Sequence, residues 1–460
     1  MLLDTIAALA TAAGPASVAI VRVSGPEAVA VAERLFRSPA GRVPAVPLGA
    51  AGSHRAHVGW LVDPTTEARV DQALVLVMRG PRSFTGEDVV ELQTHGGAAA
   101  TRVLELVLAQ GVRLAAPGEF TKRAFLHGRL DLAQAEAVAD VVDARSERAL
   151  SLALAQLEGR LSRDVAATRA ALVGLLARLE AAIDFPDEVE DVAPDEAVAL
   201  LTGALGDVGA VLATAHEGEV LREGVALAIV GRPNAGKSSL LNALVGRERA
   251  IVTAVPGTTR DVLEEGLVLG GVAFRVADTA GIRETEDPVE VIGVARSRAA
   301  LAAAGVVLLV VDLVAGVGEL ELALAAEAGG RPLVVVGNKL DAWGGEGDAA
   351  GVLAGLPGRP VLVSAATGEG LAALRRLLPE VALAGLEAPS PVAINARHRQ
   401  CLARAQRHLA EALGSARAWL PADFLAIDVK AAIAALGEVT GDAITEDVIE
   451  EVFRRFCVGK

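Results

Sequence analysis

The segment Gly231–Ser238, Gly-Arg-Pro-Asn-Ala-Gly-Lys-Ser, constrains the fold of this chain more than any other feature. It follows the apolar run Ala226–Val230 and precedes an apolar helical pattern. Backbone N–H groups of such a loop can cradle phosphates, the Lys237 ammonium can reach the β- and γ-phosphate oxygens, and the Ser238 hydroxyl can ligate Mg²⁺. The sequence therefore predicts a phosphate-binding α/β domain. The nucleotide contacts predicted in this loop are Asn234, Ala235, Gly236, Lys237, Ser238 and Ser239.

Two later segments predict which nucleotide binds. In Asn338-Lys339-Leu340-Asp341, which follows an apolar strand, the Asp341 carboxylate can accept hydrogen bonds from guanine N1–H and from the N2 amino group, which adenine lacks. The segment Ser364-Ala365-Ala366 follows the last predicted strand of this domain, where a backbone N–H can meet guanine O6. Each segment alone is a weak signal. Because they follow strands in this order, together they predict GTP.

Two further segments, Asp278-Thr279-Ala280-Gly281 and Gly257-Thr258-Thr259-Arg260, are placed to contact Mg²⁺ and the γ-phosphate. Asp278 can hold the metal ion through water, and Thr259 can complete the Mg²⁺ shell with Ser238. A flexible glycine in the first segment can respond to the γ-phosphate. The ordered set of motifs resembles that of the translation-factor-like GTPases.

The distribution of strand and helix patterns predicts the domain organisation. A repeat of strand, glycine loop and helix from about residue 225 to residue 378 predicts a mostly parallel, doubly wound sheet. Helical patterns flank it on both sides, so we expect an α/β P-loop GTPase (Ras-like) domain inserted within an all-α helical domain. An α+β domain precedes them. The predicted boundaries are 1–127 for the N-terminal domain, 128–223 and 385–460 for the helical halves, and 224–384 for the G domain.

Composition excludes several functional classes. The formal charge of -15 and the pI of about 5.1 argue against a protein that coats nucleic acid by bulk attraction. The longest apolar run, Ala299–Val311, is shorter than the roughly 20 residues of a spanning helix. Two cysteines cannot form a disulfide framework. We therefore expect a cytoplasmic, multidomain protein that does not associate with a membrane.

Lysine is rare, and arginine replaces it almost everywhere. The remaining lysines are Lys122, Lys237, Lys339, Lys430 and Lys460. A lysine kept in such a chain marks a position where a compact ammonium is needed. Two of them lie in the nucleotide motifs described above.

Motifs at both ends of the chain sharpen the resemblance to one family. They are Asp4-Thr5-Ile6, Val23-Ser24-Gly25, Ser83-Phe84-Thr85-Gly86-Glu87-Asp88, His95-Gly96-Gly97, Pro117-Gly118-Glu119-Phe120, Leu130-Asp131-Leu132-Ala133-Gln134-Ala135-Glu136-Ala137 and Cys457-Val458-Gly459-Lys460. With the inserted G domain, they resemble the MnmE (also called TrmE) family of tRNA modification GTPases. The likeness extends from residue 4 to the last residue.

The resemblance implies a function. Members act with an FAD-dependent partner, MnmG, in a heterotetramer and install an aminomethyl or carboxymethylaminomethyl group on C5 of the wobble uridine (position 34) of certain tRNAs. A tetrahydrofolate derivative, the 5-formyl or 5,10-methylene form, supplies the one-carbon unit. The N-terminal domain resembles tetrahydrofolate-binding domains and forms a homodimer. Potassium at the G domain then replaces an arginine finger, which makes the enzyme a potassium-activated GTPase.

The resemblance also assigns residues in the G domain. The potassium site would use Asn234, Thr253, Val255 and Thr258. The nucleotide-binding loops would be completed by Thr253, Ala254, Val255, Pro256, Gly257, Thr258, Thr259, Asp278, Thr279, Ala280 and Gly281. Ile282 stands where Ras-type enzymes orient water with a glutamine, so the catalytic, water-orienting role would fall to Glu290. From the residues alone, a solvated charge is the alternative for Glu290.

The folate site would use Arg22, Glu91, Arg129 and Lys460, by the same resemblance. From the residues alone, a structural pair is the favoured interpretation of Arg22 and Glu91. The family often has lysine where this chain has Arg129, which leaves that contact open. Cys457 is a candidate thiol near the one-carbon chemistry, with a small buried residue as the alternative.

Asn395–Leu420 is the best candidate for a tRNA-facing segment, because it carries five arginines and a single acid. A solvated helix face is the alternative. Two other functions also remain open: a ribosome-assembly GTPase that does no chemistry on RNA, and a GTP-regulated signalling scaffold.

Overall fold

The structure is a computed structural model that describes residues 4–50, 52–246, 266–276, 301, 304–344, 348–384, 392, 394–454 and 456–460. It contains two sheets and a set of long helices. The α+β N-terminal part, the helical part and the inserted α/β part confirm the predicted fold class.

The N-terminal part is a seven-stranded sheet in the order β3-β4-β5-β6-β2-β1-β7. Its strands are β1 (Ile6–Leu9), β2 (Ala19–Ser24), β3 (Phe36–Arg37), β4 (Arg55–Val62), β5 (Arg69–Met78), β6 (Val89–Thr94) and β7 (Arg113–Leu114). Helices α1 (Ala28–Leu35) and α2 (Ala98–Leu108) share its hydrophobic core. The short β1, β3 and β7 strands are created by pairing with distant residues rather than by local sequence pattern.

Four long helices form an antiparallel bundle. They are α6 (Arg160–Asp184), α7 (Pro194–Ala213), α12 (Ala396–Arg417) and α13 (Ala422–Thr440). Three shorter helices precede α6 in the chain: α3 (Glu119–Leu126), α4 (Leu132–Asp143) and α5 (Glu147–Leu157). One cleft is lined by the start of α6, the end of α7, the start of α12 and the end of α13. The end of α6, the start of α7, the end of α12 and the start of α13 therefore meet at the opposite end of the bundle.

One helical stretch, Pro194–Glu223, is long and apolar enough by length and composition to cross a membrane, among the residues that the structure describes. Its apolar residues Leu201 and Val208 lie in the core shared by the four long helices.

The inserted part is a six-stranded sheet in the order β13-β12-β11-β8-β10-β9. Helix α8 (Ala215–Glu223) precedes it. Its elements in chain order are β8 (Val225–Val230), α9 (Lys237–Val245), β9 (Gly266–Leu269), β10 (Val272–Val276), β11 (Val306–Asp312), α10 (Glu319–Glu327), β12 (Leu333–Asn338), β13 (Arg359–Leu362) and α11 (Leu371–Ala382). Every neighbouring pair is parallel except β9 with β10. The predicted doubly wound sheet is confirmed, and the β9 edge strand is an addition to it.

The last residues of the chain return to the N-terminal part. Helix α14 (Glu446–Arg454) is followed by a tail whose Lys460 carbonyl accepts a hydrogen bond from the Phe120 N–H at 3.1 Å. Gly459 has a φ of 98°, and a Cβ there would lie 2.2 Å from the Leu9 carbonyl oxygen. Only glycine lets the tail lie this close to β1.

A group of carboxylates lies where α4 meets α8, next to the G domain. The Asp140 carboxylate is 4.0 Å from the Arg222 guanidinium. Burial nevertheless raises the pKa of Asp140 to about 6, since the Arg222 charge offsets only part of the desolvation and Glu136 and Asp143 add negative charge. The carboxylate therefore resists ionisation in the folded protein.

We expect Asp140→Asn to stabilise the protein near neutral pH. Because the pKa of Asp140 is raised on folding, ionisation costs stability above about pH 6 and nothing below about pH 4. The gain in the free energy of unfolding should be about 1–3 kcal/mol at pH 7.5 and vanish at pH 4. Denaturant unfolding at the two pH values measures it. Asp164→Asn, a more exposed carboxylate on α6, is the control, and an equal gain at both pH values would contradict the prediction.

Candidate functional site

The loop between β8 and α9 has the geometry of a phosphate cradle. Gly231 has a φ of 149°, and a Cβ there would lie 2.2 Å from the Val310 carbonyl oxygen. Gly236 has a φ of 87°, and its Cβ would lie 2.3 Å from the Asn338 Nδ2. Both positions therefore require glycine. The loop passes directly into the N-terminus of α9, where backbone N–H groups can bind an anion.

Lys237 is the first residue of α9, and its ammonium group donates hydrogen bonds to the backbone of the phosphate loop. The Nζ atom donates to the Gly231 carbonyl at 3.0 Å and to the Arg232 carbonyl at 2.9 Å. Burial lowers the pKa of Lys237, because the charged form loses hydration. A bound phosphate would replace these neutral acceptors with negative oxygens and restore the favourable environment of the ammonium. Ser238 follows on the first turn of the same helix, as a hydroxyl ligand for Mg²⁺ requires.

Arg232 ties this loop to α10. Its Nε and Nη2 atoms donate to the two carboxylate oxygens of Glu321, both at 2.6 Å. The Glu321 side chain is fully buried. Burial alone would raise the pKa of Glu321, but the hydrogen bonds from Arg232 and from the Gly318 N–H hold it below its usual range. Sequence reasoning missed this bidentate pair, since the two residues are far apart in the chain.

Asn338 joins the phosphate loop to the guanine-recognition segment. Its Nδ2 atom donates to the Ala235 carbonyl at 2.9 Å, and its Oδ1 atom accepts from the Ala365 N–H at 3.1 Å. The side chain is buried, so both bonds are protected from water. One amide therefore fixes the spacing between the loop for phosphates and the loop for the base.

Asp341 lies in a short helical turn after β12, close to the Ser364 segment. The Ser364 hydroxyl donates to the Asp341 Oδ1 at 2.5 Å. Lys339 has a φ of 65°, and its ammonium donates to the Asp312 carboxylate at 2.8 Å. These contacts position the Asp341 carboxylate beside the predicted base site.

Several predicted nucleotide and metal residues lie outside the described residues. They are Thr253, Ala254, Val255, Pro256, Gly257, Thr258, Thr259, Asp278, Thr279, Ala280, Gly281 and the catalytic candidate Glu290. Their assignments stay predictions. The described part of the site comprises the phosphate loop, α9 and the two base-recognition segments.

A second candidate site lies on the N-terminal sheet. Arg22 on β2 faces Glu91 on β6, and its Nη2 atom donates to the Glu91 Oε1 at 2.9 Å. The Arg22 guanidinium also lies 5.6 Å from the ring centre of Phe84 and 5.7 Å from that of Phe120. A cation stacked on two rings beside a carboxylate can bind a planar, polar heterocycle.

The chain terminus and Arg129 lie around the same two rings. Phe120 contacts Arg22 with its ring and Lys460 with its backbone N–H. The Arg129 Nε donates to the Ser83 carbonyl, next to Phe84, at 3.2 Å. Cys457 is exposed, so its alternative interpretation as a small buried residue is wrong. Arg22, Glu91, Arg129 and the backbone of Lys460 therefore lie close to Phe84, Phe120 or their chain neighbours.

Sequence reasoning missed a buried charged residue beneath this surface. Arg123 is fully buried, and its guanidinium contacts Asp4 at 2.8 Å, Glu119 at 3.0 Å and Glu87 at 3.1 Å. Glu87 also accepts from the Ser24 hydroxyl. The only signal in the sequence was that these acids belong to the motifs shared with the family. The network fixes the start of the chain and α3 behind Phe120.

The arginine-rich segment on α12 offers less to RNA than its sequence suggests. Arg397 donates to both oxygens of Glu136, at 2.9 and 2.7 Å, and Arg404 pairs with Glu438. Arg397 therefore holds helices together rather than facing a ligand. Arg404 is exposed despite its ion pair, as are Arg407, Arg417 and Arg399, whose guanidinium lies 3.8 Å from Glu219.

His408, Glu411 and Asp428 form a cluster whose ligand atoms lie within 4.8 Å of one another. The Arg407 guanidinium, which can only donate, lies 3.3 Å from the His408 Nε2. Metal binding at Nδ1 would require a proton on Nε2, which competes with this contact. The cluster fits a hydrogen-bonded group between α12 and α13 better than a metal site.

The comparisons with known proteins identify the family. A family model described as the MnmE helical domain matches residues 132–457, and a second, the GTP-binding protein TrmE N-terminus, matches residues 5–129. The tRNA modification GTPase MnmE of Moorella thermoacetica is 48% identical over 469 residues, with 100% of both chains covered. The chain belongs to the MnmE family.

The tRNA modification GTPase MnmE of Symbiobacterium thermophilum is 49% identical over 461 residues, and the match covers 99% of each of the two chains. Among solved structures, the G domain of the T. maritima FeoB iron transporter matches 34% of this chain and 98% of its own length, at 28% identity and a TM-score of 0.26. The resemblance to the MnmE family predicted from the terminal motifs is thus confirmed over the full length of the chain.

We expect Asp341→Asn to change the base preference. The amide would lose the acceptor for the guanine N2 amino group and gain a donor for the O2 of xanthine, so GTP affinity should fall roughly 100-fold and XTP affinity should rise. Titration with fluorescent GTP and XTP measures both. Asp348→Asn, another aspartate of the same region, is the control and should keep the preference for GTP. An unchanged preference in Asp341→Asn would contradict the assignment.

Proposed function

We propose that this chain is a GTP-hydrolysing tRNA modification enzyme that forms the carboxymethylaminomethyl or aminomethyl group at C5 of the wobble uridine of certain tRNAs. The observation that carries the proposal is the full-length match to proteins named tRNA modification GTPase MnmE. The phosphate loop, with its required glycines and its buried Lys237, supports GTP binding by this chain. The substrate uridine and its product come from the resemblance to the family.

GTP and Mg²⁺ fit the phosphate loop. Lys237 would contact the β- and γ-phosphate oxygens, and the hydroxyls of Ser238 and Thr259 would hold Mg²⁺, which supplies charge neutralisation when it is bound. Asn338 supports this assignment because it joins the phosphate loop to the loop beside Asp341. Binding of phosphate by the phosphate loop would then help to order the loop that contacts the guanine base.

Potassium and Glu290 complete the proposed hydrolysis. Asn234 has a φ of 63°, which turns the loop backbone at the position assigned to the potassium ion. Thr253, Val255 and Thr258 would supply further neutral oxygens. Glu290 would orient the attacking water, because Ile282 stands in place of a water-orienting glutamine. The resemblance supplies these roles.

The surface around Phe84 and Phe120 is the proposed site of a tetrahydrofolate derivative in its 5-formyl or 5,10-methylene form. Glu91 could accept from the N–H groups of a pterin edge, while Arg22 could pair with a carboxylate or stack on the ring. Lys460 and Arg129 border the same rings. The exposed Cys457 thiol lies in the same tail as Lys460, near the proposed one-carbon chemistry.

The remaining proposals concern assembly and place in the cell. We infer a homodimer through the N-terminal domain, a heterotetramer with the FAD-dependent MnmG, and a cytoplasmic location. The domain boundaries at residues 127, 223 and 384 belong to the same proposal. Gly224, the single residue between α8 and β8, supports the second boundary.

A strain that lacks the protein tests the function. Nucleoside analysis of its tRNA by mass spectrometry should find the wobble-uridine modification missing, and the wild-type chain should restore it. Glu290→Ala should bind GTP normally, cut kcat about 100-fold and fail to restore the modification. Sodium in place of potassium should slow wild-type turnover in the same assay. Glu284→Ala, an acid in the same segment, is the control.

Two results would contradict this reading. An intact modification in the deletion strain would favour a signalling scaffold instead. Normal turnover in Glu290→Ala would remove Glu290 from the mechanism while leaving the enzyme's role in tRNA modification in place.

Removal of residues 458–460 tests the folate site separately. Because the tail borders Phe120 and not the G domain, we expect affinity for 5-formyltetrahydrofolate to fall at least 10-fold while GTP turnover is unchanged. Calorimetric titration measures the first and phosphate release the second. Lys430→Ala, an exposed lysine on α13, is the control. Absence of folate binding by the wild type, with co-sedimentation of the protein with ribosomes, would favour a ribosome-assembly GTPase.

A further inference from the structure

The aromatic side chains of this chain are few, and their exposed members lie together. The sequence has 3 tryptophans, 9 phenylalanines and no tyrosine. All of them belong to the described residues, and only Phe185, Trp419 and Phe424 are exposed, by 56%, 73% and 56%. Every other aromatic side chain is buried or half-buried. An exposed group of large aromatic side chains in such a chain marks an interaction surface.

The three aromatic residues share one end of the four-helix bundle. Phe185 follows the last residue of α6, and Trp419 and Phe424 flank the turn between α12 and α13. These helix ends meet opposite the cleft that marks the other end of the bundle. Exposed aliphatic residues extend the surface. We call the set Phe185, Val189, Trp419, Leu420, Phe424 and Ile427 the bundle tip.

Trp419 projects from a backbone that a tryptophan rarely adopts. Its φ is 57°, in the left-handed region, at a turn where glycine or asparagine would be less strained. Ile427, one turn into α13, is 67% exposed. Neither side chain adds to the bundle core, so neither is explained by folding.

The segment between α6 and α7, at the same end of the bundle, is strongly acidic. The segment between Asp184 and Glu196 has seven acidic residues and no basic one. Arg178 pairs with Glu196 at 2.9 Å and neutralises only that charge. An open cleft of about 430 Å³ in this segment is lined by Asp187, Glu188, Glu190 and Asp191, with Val189 among them. Apolar anchors and an acidic cleft therefore lie at the same end of the bundle.

We propose that the bundle tip is the docking surface for a basic, amphipathic α-helix of a protein partner. Trp419, Phe424 and Ile427 would anchor the apolar face of that helix, as exposed aromatic residues do at interface centres. The carboxylates of the acidic cleft would pair with its lysines and arginines and set its orientation.

The negative charge of the acidic segment argues against tRNA, a lipid membrane or a second copy of this chain as the ligand of the bundle tip. The phosphates of tRNA and the headgroups of anionic lipids would be repelled by the acidic segment. A second copy of this chain would bring an equally acidic tip against this one. A basic protein helix satisfies both the apolar and the acidic part of the surface.

Synthetic peptides test this chemistry directly. A labelled 18-residue amphipathic helix of leucine and lysine should bind the wild-type chain, and its leucine and glutamate counterpart should not. Combined Trp419→Ser, Phe424→Ser and Ile427→Ser should weaken the lysine peptide at least 10-fold, and so should Asp187→Asn with Glu188→Gln, Glu190→Gln and Asp191→Asn. Leu322→Ser, an exposed leucine on α10, is the control. Equal affinity of all variants would overturn the proposal.

The purified FAD-dependent partner provides the second arm, which rests on the proposed function. If the wild type binds it, the combined serine variant should bind at least 10-fold more weakly while its GTP turnover is unchanged. Equal binding would overturn the bundle tip as the docking surface and leave the partnership standing. If the wild type does not bind this partner, the proposed partnership is wrong. The peptide experiment then still tests whether the bundle tip is a docking surface. A photo-cross-linker at position 427 that captures tRNA or a second copy would also overturn the proposal.

Discussion

One buried ion-pair cluster links distant parts of the chain: Glu136 on α4 contacts Arg397 and His398 on α12. The His398 Nδ1 accepts from the Asn395 N–H at 3.4 Å, so its proton lies on Nε2, which is 2.6 Å from Glu136. Burial would raise the pKa of Glu136, but the two partners hold it well below its usual range. These residues stand on either side of the inserted G domain. The cluster therefore joins the two helical halves and lets the insertion occur without dividing them.

The G domain contacts the helices through a small joint beside this cluster. Gly224 alone separates α8 from β8, and a Cβ there would lie 2.8 Å from the Ala273 carbonyl oxygen. Arg148 on α5 packs against Gly271 in the turn between β9 and β10. Arg222 on α8 approaches Asp140 on the same helix as Glu136. A shift of the nucleotide-binding sheet would therefore act first on α5 and α8, beside Asp140, whose pKa burial raises to about 6.

The sequence predicted the parts of this protein that local pattern encodes. The phosphate loop and the strands from β8 to β13, except β9, follow from apolar runs and glycines, because buried parallel strands and tight loops leave little choice of residue. Contacts between distant residues could not be predicted. Arg397 belonged to the segment predicted to face tRNA. Its partner Glu136 lies 261 residues away, so no local pattern in the sequence indicated the pair. Arg123 and Arg232 were overlooked for the same reason. The pairing of Arg22 with Glu91 was one of two alternatives, and the structure shows the pair without excluding a ligand on it.

The position of the bundle tip bears on how a partner and the nucleotide could influence each other. Helix α7 has 20 residues, so its start at the tip and its end near α8 are about 30 Å apart. A partner bound at the tip would thus touch neither the phosphate loop nor Asp341. The four helices share one continuous core, in which Leu201, Leu402 and Val429 are fully buried. A close-packed core moves as a unit rather than deforming gradually. Docking at the tip would therefore act on the nucleotide site by reorienting the whole bundle against α8 and β8, a coupling that depends on the short joint at Gly224.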